Sequence, residues 1–289
     1  MALPTFLIIG AAKAGTTSLH FYLDQHPQVQ MSAVKETNFF AGPDNGIPYP
    51  VGRVERRHEY EALFDPGFSV RGEASPSYAS APRRPGVPER IKELIPEARF
   101  VYVVRDPIAR TVSQYQMLFA EGKEPKSLPA AIAELDEADP HFFHLTCQSF
   151  YARQLELYLA HFPQDRLLVI DQAELRAERA EVLRRVFGFL GVDPGFESAA
   201  FESELFKGGE HRRYPPLLAQ VKPVLRAPYR LLPRGFREGV KGSFERAVLP
   251  TVPKPVVEGE TRERLVELFA PDAERLRALT GQDFPSWSV

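Results

Sequence analysis

The sequence predicts an α/β protein with a central parallel sheet flanked by helices. Its apolar runs are continuous rather than alternating, as is typical of strands covered on both faces; they lie at residues 5–9, 69–70, 100–104 and 167–170. Helical apolar spacing appears between and after these runs, for example at Leu155, Tyr158 and Leu159. Because strands alternate with helices, we predict βαβ units within a single domain over residues 1–289.

Composition excludes several classes of protein. The chain has 36 Lys and Arg against 38 Asp and Glu, a formal charge of −2, which argues against a nucleic-acid partner. Its one cysteine, Cys147, excludes an intramolecular disulfide and a thiol-based zinc site. Apolar runs are far shorter than the roughly 20 residues of a membrane span, and Lys13 interrupts the N-terminal run too early for a signal peptide. We therefore expect a soluble, cytoplasmic protein without a metal site.

The first strand leads into a loop of small residues that is typical of a phosphate site. Gly10 ends the strand, and Gly15 precedes a helix that opens with Thr16 and Thr17. Such a strand–loop–helix gathers free backbone N–H groups at the positive end of a helix, and Lys13 adds a cation. The alternative interpretation is an ordinary βα turn with a solvated lysine.

This P-loop-like segment differs from the Walker A pattern G-x4-G-K-[ST]. Gly10 and Gly15 have the required separation, but Thr16 stands where the lysine belongs, and Lys13 lies inside the loop. A lysine at that place suits a donor whose reacting bond lies close to the 5′ position. The rival hypothesis is a phosphotransferase (kinase) that uses ATP and Mg²⁺.

A second anion site is predicted where the strand at 100–104 ends. Arg105 stands at its carboxyl end, and Asp106-Pro107 turns the chain into a helix that carries Ser113. Because ligands of open α/β sheets bind at this edge, we expect Arg105 to face the same crevice as Lys13. A guanidinium and a hydroxyl suit a terminal phosphate. Two alternatives stay open: Arg110 as the anion ligand, or an Arg105–Asp106 ion pair that only caps the turn.

Together these motifs resemble those of sulfotransferases that use 3′-phosphoadenosine 5′-phosphosulfate (PAPS). KAGTT resembles their 5′-phosphosulfate loop, and the Arg-x7-Ser spacing from Arg105 to Ser113 resembles their 3′-phosphate motif. The chain is most similar to the heparan-sulfate and bacterial branch. Four further stretches carry this similarity: KETNFF at 35–40, GEASPSY at 72–78, VFGFLGV at 186–192, and the terminal SW.

The resemblance implies a role for each matching residue. Lys13 would contact the bridging oxygen and leaving phosphate, and Glu36 would be the catalytic base, with burial or Lys35 tuning it. Arg105 and Ser113 would hold the 3′-phosphate. The 5′-phosphate would lie among Ala14, Gly15, Thr16, Thr17 and Ser18. PAPS would be the co-substrate, 3′,5′-ADP (PAP) the product, and no metal would be needed.

The sequence also departs from the branch. Glu73-Ala74 stands where the heparan-sulfate enzymes have a lysine after a glutamate, so one cationic contact to the acceptor or donor is missing. Glu73 itself, on or just after a strand near the predicted crevice, is expected to position Lys13 or to assist Glu36. Their late K-G-R-x-x-P loop is matched only loosely by residues 207–215, from which Arg212 is carried over as a donor ligand. The branch's disulfide and Golgi anchor have no counterpart, which favours a bacterial cytoplasmic enzyme.

The segment 211–256 differs from the rest because it holds ten basic residues and two acidic ones, a local charge near +8. It is interpreted either as short solvated helices or as a lid (residues 210–260) that contacts an anionic acceptor, a carrier protein or a membrane surface. The acceptor would be a hydroxyl, or less favourably an amine, of a sugar, lipid, peptide or polyketide. A binding protein without chemistry is a third class to test.

The C-terminal part predicts a helix from Thr261 that is interrupted at Pro271. Phe284 and Trp287 make the end of the chain apolar, so we expect it to dock on the core rather than to fray.

Overall fold

The computed structural model describes residues 2–43, 52–135, 144–203 and 251–289. Five strands form one sheet in the order β2-β3-β1-β4-β5, and every neighbouring pair is parallel. The strands are β1 Phe6–Gly10, β2 Val29–Met31, β3 Val70–Ala74, β4 Arg99–Val104 and β5 Leu167–Asp171. The predicted α/β class with a central parallel sheet is therefore confirmed.

Helices connect these strands and pack against the sheet. In the described ranges they are α1 Thr16–Leu23, α2 Arg57–Glu61, α3 Val87–Leu94, α4 Pro107–Ala120, α5 Leu128–Ala133, α6 Tyr151–Leu159, α7 Gln172–Ala177, α8 Arg179–Leu190 and α9 Gly259–Thr280. Strand β1 lies at the centre, and its residues from Phe6 to Ile9 have no exposed surface. Its continuous apolar character follows from this burial on both faces.

The register of β1 explains one glycine in the neighbouring strand. Phe6 pairs with Gly72 of β3 on one side and with Arg99 of β4 on the other. A Cβ atom at Gly72 would lie 2.1 Å from Cζ of Phe6. Only a residue without a side chain therefore allows β3 to pair with β1 in this register.

The sheet contains more strand residues than the apolar runs predicted. Strand β2 was not predicted because three residues, one of them Gln30, give too short an apolar pattern. Strand β3 runs to Ala74, well beyond the predicted residues 69–70. The prediction stopped early because Glu73 is polar although it is fully buried in the core.

The predicted interruption at Pro271 is wrong, because α9 runs through this proline. The helix packs on α4, α5 and α6, and it buries four apolar side chains on both sides of the proline: Leu265, Phe269, Ala273 and Leu276. That burial outweighs the one helical hydrogen bond that the proline removes.

The C-terminal end docks on the core, as predicted. The rings of Phe284 and Trp287 stack with centroids 4.4 Å apart, and Trp287 is 9% exposed. Its Nε1 donates to Oδ1 of Asp171, at the end of β5, over 3.4 Å. Most of the predicted lid, from residue 210 to residue 250, lies outside the described residues. Among the helices described, none is long and apolar enough to cross a membrane.

Asp272 gives a test of this packing, because its carboxylate caps α6 from a distant helix. It accepts hydrogen bonds from the backbone N–H groups of Ala152 (3.0 Å) and Arg153 (3.1 Å), and it is 4% exposed. Asp272→Ala leaves the buried N–H of Ala152 and the part-buried N–H of Arg153 without their acceptor, so we expect a loss of about 1–3 kcal/mol in the free energy of unfolding. Urea denaturation measures it. Glu274→Ala, at an exposed site on the same helix, is the control; equal losses in the two variants would contradict the capping role.

Candidate active site

The loop after β1 presents unpaired backbone donors at the start of α1. Gly15 precedes the helix with φ +100°, and no side chain caps the first turn. The N–H groups of Thr16, Thr17 and Ser18 therefore have no intrahelical partner and are available to an anion. The loop itself is held by a residue distant in sequence, since the N–H of Ala12 donates to Oε1 of Gln148 over 2.6 Å.

Lys13 lies in this loop with a left-handed backbone, φ +70°. Its Nζ contacts the sulfur of Met117 at 3.8 Å, and it makes no ion pair among the residues that the structure describes. Burial lowers the pKa of Lys13, and the positive charges of Arg105 and Arg110 lower it further. The charges of Glu121 and Glu36 oppose this shift, so Lys13 and Glu36 are within electrostatic reach of each other.

Arg105 leaves the end of β4 and meets the loop of Lys13. Its Nη1 donates to the carbonyl oxygen of Lys13 over 2.9 Å, which brings together the two cations predicted to share a crevice. The carboxylate of Asp106 instead caps α4 through the N–H of Ala109 (2.6 Å) and accepts from Oγ of Ser288 (2.7 Å). The alternative of an Arg105–Asp106 ion pair is thus not formed among the described contacts. Ser113 is half-buried on α4.

The alternative that Arg110 binds the anion does not fit the structure. Its side chain is 1% exposed, and it donates to Oγ of Ser149 over 2.5 Å and to the carbonyl oxygen of Leu145. It thereby holds the short 3₁₀ turn Cys147–Ser149, which carries Gln148. The sequence analysis missed Gln148 as a support of the phosphate loop, because an isolated glutamine gives no local signal.

Glu36 lies beyond the end of β2, beside β3. Its N–H donates to the carbonyl oxygen of Ala74 over 2.9 Å, and its carboxylate pairs with Nζ of Lys35 at 2.8 Å. The side chain is 30% exposed. It is therefore accessible to an acceptor, and Lys35 is its cationic neighbour.

Glu73 makes no hydrogen bond to Lys13, so its predicted role in positioning that lysine is not supported. It is completely buried at the end of β3. Its carboxylate accepts hydrogen bonds from four hydroxyl groups, those of Thr37, Tyr60, Ser75 and Tyr78. Burial raises the pKa of Glu73, and these four hydrogen bonds oppose that shift.

The structure thus gathers the predicted residues at one edge of the sheet. Arg105 contacts the backbone of Lys13, which lies three residues before the start of α1, and Glu36 lies within electrostatic reach of Lys13. Arg212 lies outside the described residues. In the parts of the chain that the structure covers, no group of His, Cys, Asp and Glu has the arrangement of a metal site.

Comparison with known proteins places this site in a family. A family model described as "Sulfotransferase family" matches residues 81–197, a stretch that contains Arg105, Ser113 and Gln148. Over its whole length the chain matches the crystal structure of a sulfotransferase from Alicyclobacillus acidocaldarius, with 26% identity, 100% of both chains covered and a TM-score of 0.72.

Two relatives extend the match to longer proteins. The mouse (Mus musculus) bifunctional heparan sulfate N-deacetylase/N-sulfotransferase 4 is 29% identical over 262 residues, with 79% of this chain and 29% of the relative covered. Human (Homo sapiens) heparan sulfate glucosamine 3-O-sulfotransferase 5 is 31% identical over 198 residues, covering 66% and 54%. The chain thus spans less than a third of the first and about half of the second. The family model, these relatives and the full-length structural match together support the assignment of the chain to the sulfotransferase family.

Proposed function

We propose that this chain transfers the sulfuryl group of PAPS to a hydroxyl of a small or carrier-bound acceptor. The observation that carries the proposal is the contact between Arg105 and the loop of Lys13, at the uncapped start of α1. Two partly buried cations without a carboxylate ion pair in the described ranges are costly unless an anion joins them. A donor with phosphates at both its 3′ and 5′ positions supplies negative charge for both.

Each residue has a defined part in the proposed transfer. Lys13 and the N–H groups from Gly15 to Ser18 bind the 5′-phosphate and stabilise the charge that develops there, while the N–H of Ala14 donates within the loop to the carbonyl oxygen of Ala11. Arg105 and Ser113 hold the 3′-phosphate. Glu36 takes the proton of the acceptor hydroxyl as the new O–S bond forms and the bond from sulfur to the phosphate oxygen breaks. PAP then leaves with the electron pair of that broken bond.

The rival phosphotransferase is not favoured by the similarities, which all lead to sulfotransferases. The chain also has Thr16, not a lysine, at the position from which the lysine of nucleotide kinases reaches the β- and γ-phosphates. The names of the relatives specify N-sulfation and 3-O-sulfation of heparan sulfate. A sugar hydroxyl or amine is therefore the first acceptor to test, followed by lipid, peptide and polyketide alcohols. The cytoplasmic bacterial setting and the acceptor contacts of residues 211–256 stay predictions.

Nucleotide selectivity tests the donor site. We expect PAP to raise the melting temperature without metal, and 5′-ADP and ATP with Mg²⁺ to raise it much less, because only PAP engages Arg105. At 100 times its Kd, PAP should add about 2.7 kcal/mol to the free energy of unfolding. Arg105→Ala should abolish the preference for PAP over 5′-ADP. A larger shift with ATP and Mg²⁺ would instead support the phosphotransferase.

Glu36→Gln tests the base. The amide cannot accept the acceptor's proton, so we expect kcat for sulfuryl transfer from PAPS to fall by about 10²- to 10⁴-fold, with PAP affinity unchanged. Glu93→Gln, at an exposed site on α3, is the control. Unchanged turnover in Glu36→Gln would remove Glu36 from the mechanism, and absence of turnover in every variant and the parent would favour a binding protein.

The lowered pKa of Lys13 gives a pH test. Lys13 must be protonated to attract the 5′-phosphate, so PAP affinity should fall as the pH rises through that lowered pKa. In Lys13→Arg the cation persists to much higher pH, and we expect this decline to disappear. Isothermal titration across the alkaline range measures it. The same decline in both proteins would show that another group causes it.

A further inference from the structure

The peptide that carries Glu36 has an unusual backbone. Glu36 has φ +62° and Asn38 has φ +53°, both in the left-handed region that residues other than glycine rarely adopt. The 3₁₀ turn Phe39–Ala41 follows directly. A conformation of this kind is unfavourable and persists only where its surroundings hold it. The structure therefore has to contain a group that fixes this loop.

Hydroxyl groups hold three consecutive N–H groups of the loop. The N–H of Asn38 donates to Oγ of Ser75 over 3.1 Å. That of Phe39 donates to Oγ1 of Thr37 over 3.4 Å, and that of Phe40 to the Tyr78 hydroxyl over 3.3 Å. Each hydroxyl has a single proton, so an oxygen that accepts from the backbone has that proton left for another partner.

All three hydroxyl groups give that proton to Glu73. Ser75 and Thr37 donate to Oε2 over 3.0 and 2.5 Å, and Tyr78 donates to Oε1 over 2.5 Å. An ionised carboxylate only accepts, so it orients all three hydroxyls in one direction, with their oxygens toward the backbone N–H groups. The loop after Glu36 is thus tied to one buried charge through three parallel two-bond connections, which we name the hydroxyl relay.

The side chain of Asn38 links this hydrogen-bonded loop to the backbone of Glu36. Its Nδ2 donates to the carbonyl oxygen of Glu36 over 2.8 Å, while its Oδ1 accepts from Oγ of Ser77 over 2.6 Å. The side chain of Asn38 is therefore fixed from both ends. The relay and this bridge together determine where the backbone of Glu36 lies.

We propose that Glu73 is a positioning residue for Glu36, acting through the hydroxyl relay. The proposal rests on the proposed function, in which Glu36 is the base. Glu73 is not a base for the acceptor, because it has no exposed surface and both of its oxygens are occupied by hydroxyl donors. Its charge serves to give the hydroxyls their direction.

Glu73→Gln tests the relay with almost no change in volume. The amide nitrogen donates instead of accepting, so at least one pair of hydroxyls must turn its protons away from residue 73, and a proton that turns toward the backbone competes with the N–H group that the same oxygen accepts. We expect faster hydrogen exchange at the amides of residues 38–40 in the PAP complex, a readout that needs no acceptor. With the acceptor found by the PAPS screen, kcat should fall about 10- to 100-fold, while KM for PAPS and PAP affinity stay unchanged.

Tyr60→Phe is the matched control, because the Tyr60 hydroxyl donates to Oε1 of Glu73 over 2.9 Å but receives no backbone N–H in the described contacts. It should leave amide exchange at residues 38–40 near that of the parent chain. If Glu73→Gln does not fold, Ser75→Ala removes a single connection and should accelerate exchange at Asn38 above all.

Three outcomes separate this proposal from the proposed function. Unchanged exchange at residues 38–40 in a folded Glu73→Gln variant would overturn the relay. Normal kcat in Glu73→Gln, in an assay where Glu36→Gln is slow, would overturn the positioning role alone. Normal kcat in Glu36→Gln would overturn the base and with it the catalytic purpose of the relay.

Discussion

The site depends on the parallel pairing of β1 between β3 and β4. Parallel strands all end at the same edge of the sheet, so the segments that leave them meet there. Lys13 lies three residues after β1, Ser75 directly after β3, and Arg105 directly after β4. The register is in turn fixed by Phe6, whose ring occupies the space above Gly72. One buried strand pairing therefore brings together residues that are up to 92 positions apart, as in the bond from Arg105 to Lys13.

Basic and acidic side chains lie on different sides of this edge of the sheet. On the side of β1 and β4 lie Lys13 and Arg105, and the buried Arg110 interacts electrostatically with each of them. On the side of β3 lie the two glutamates, Glu36 and Glu73. In the proposed function, the first side attracts an anionic donor, and the second provides a proton acceptor and its support.

Hydrogen bonds between loops join the part of the sequence that the family model matches to a part that it does not match. The family match spans residues 81–197, whereas the loop of Lys13 and the peptide of Glu36 lie before it. Several hydrogen bonds cross from the matched part to the N-terminal loop; among them, the carbonyl oxygen of Val103 accepts from Ala11, Gln148 accepts from Ala12, and Arg105 donates to Lys13. Because these contacts hold the loop from outside, its conformation belongs to the whole domain rather than to its own sequence.

The sequence by itself determined the α/β class and three long strands, and it predicted two anion-binding motifs, because buried parallel strands and glycine-rich helix starts leave local patterns. Only the tertiary structure decided that Arg110 is a buried support, that α9 continues through Pro271, and that Glu73 holds the peptide after Glu36. Each of these depends on contacts between residues distant in sequence, and a local pattern contains no information about which distant groups will be buried together. From the sequence alone, a glutamate within a strand is predicted to lie at the surface. Only the structure shows the four hydroxyl groups that pair with this glutamate in the core.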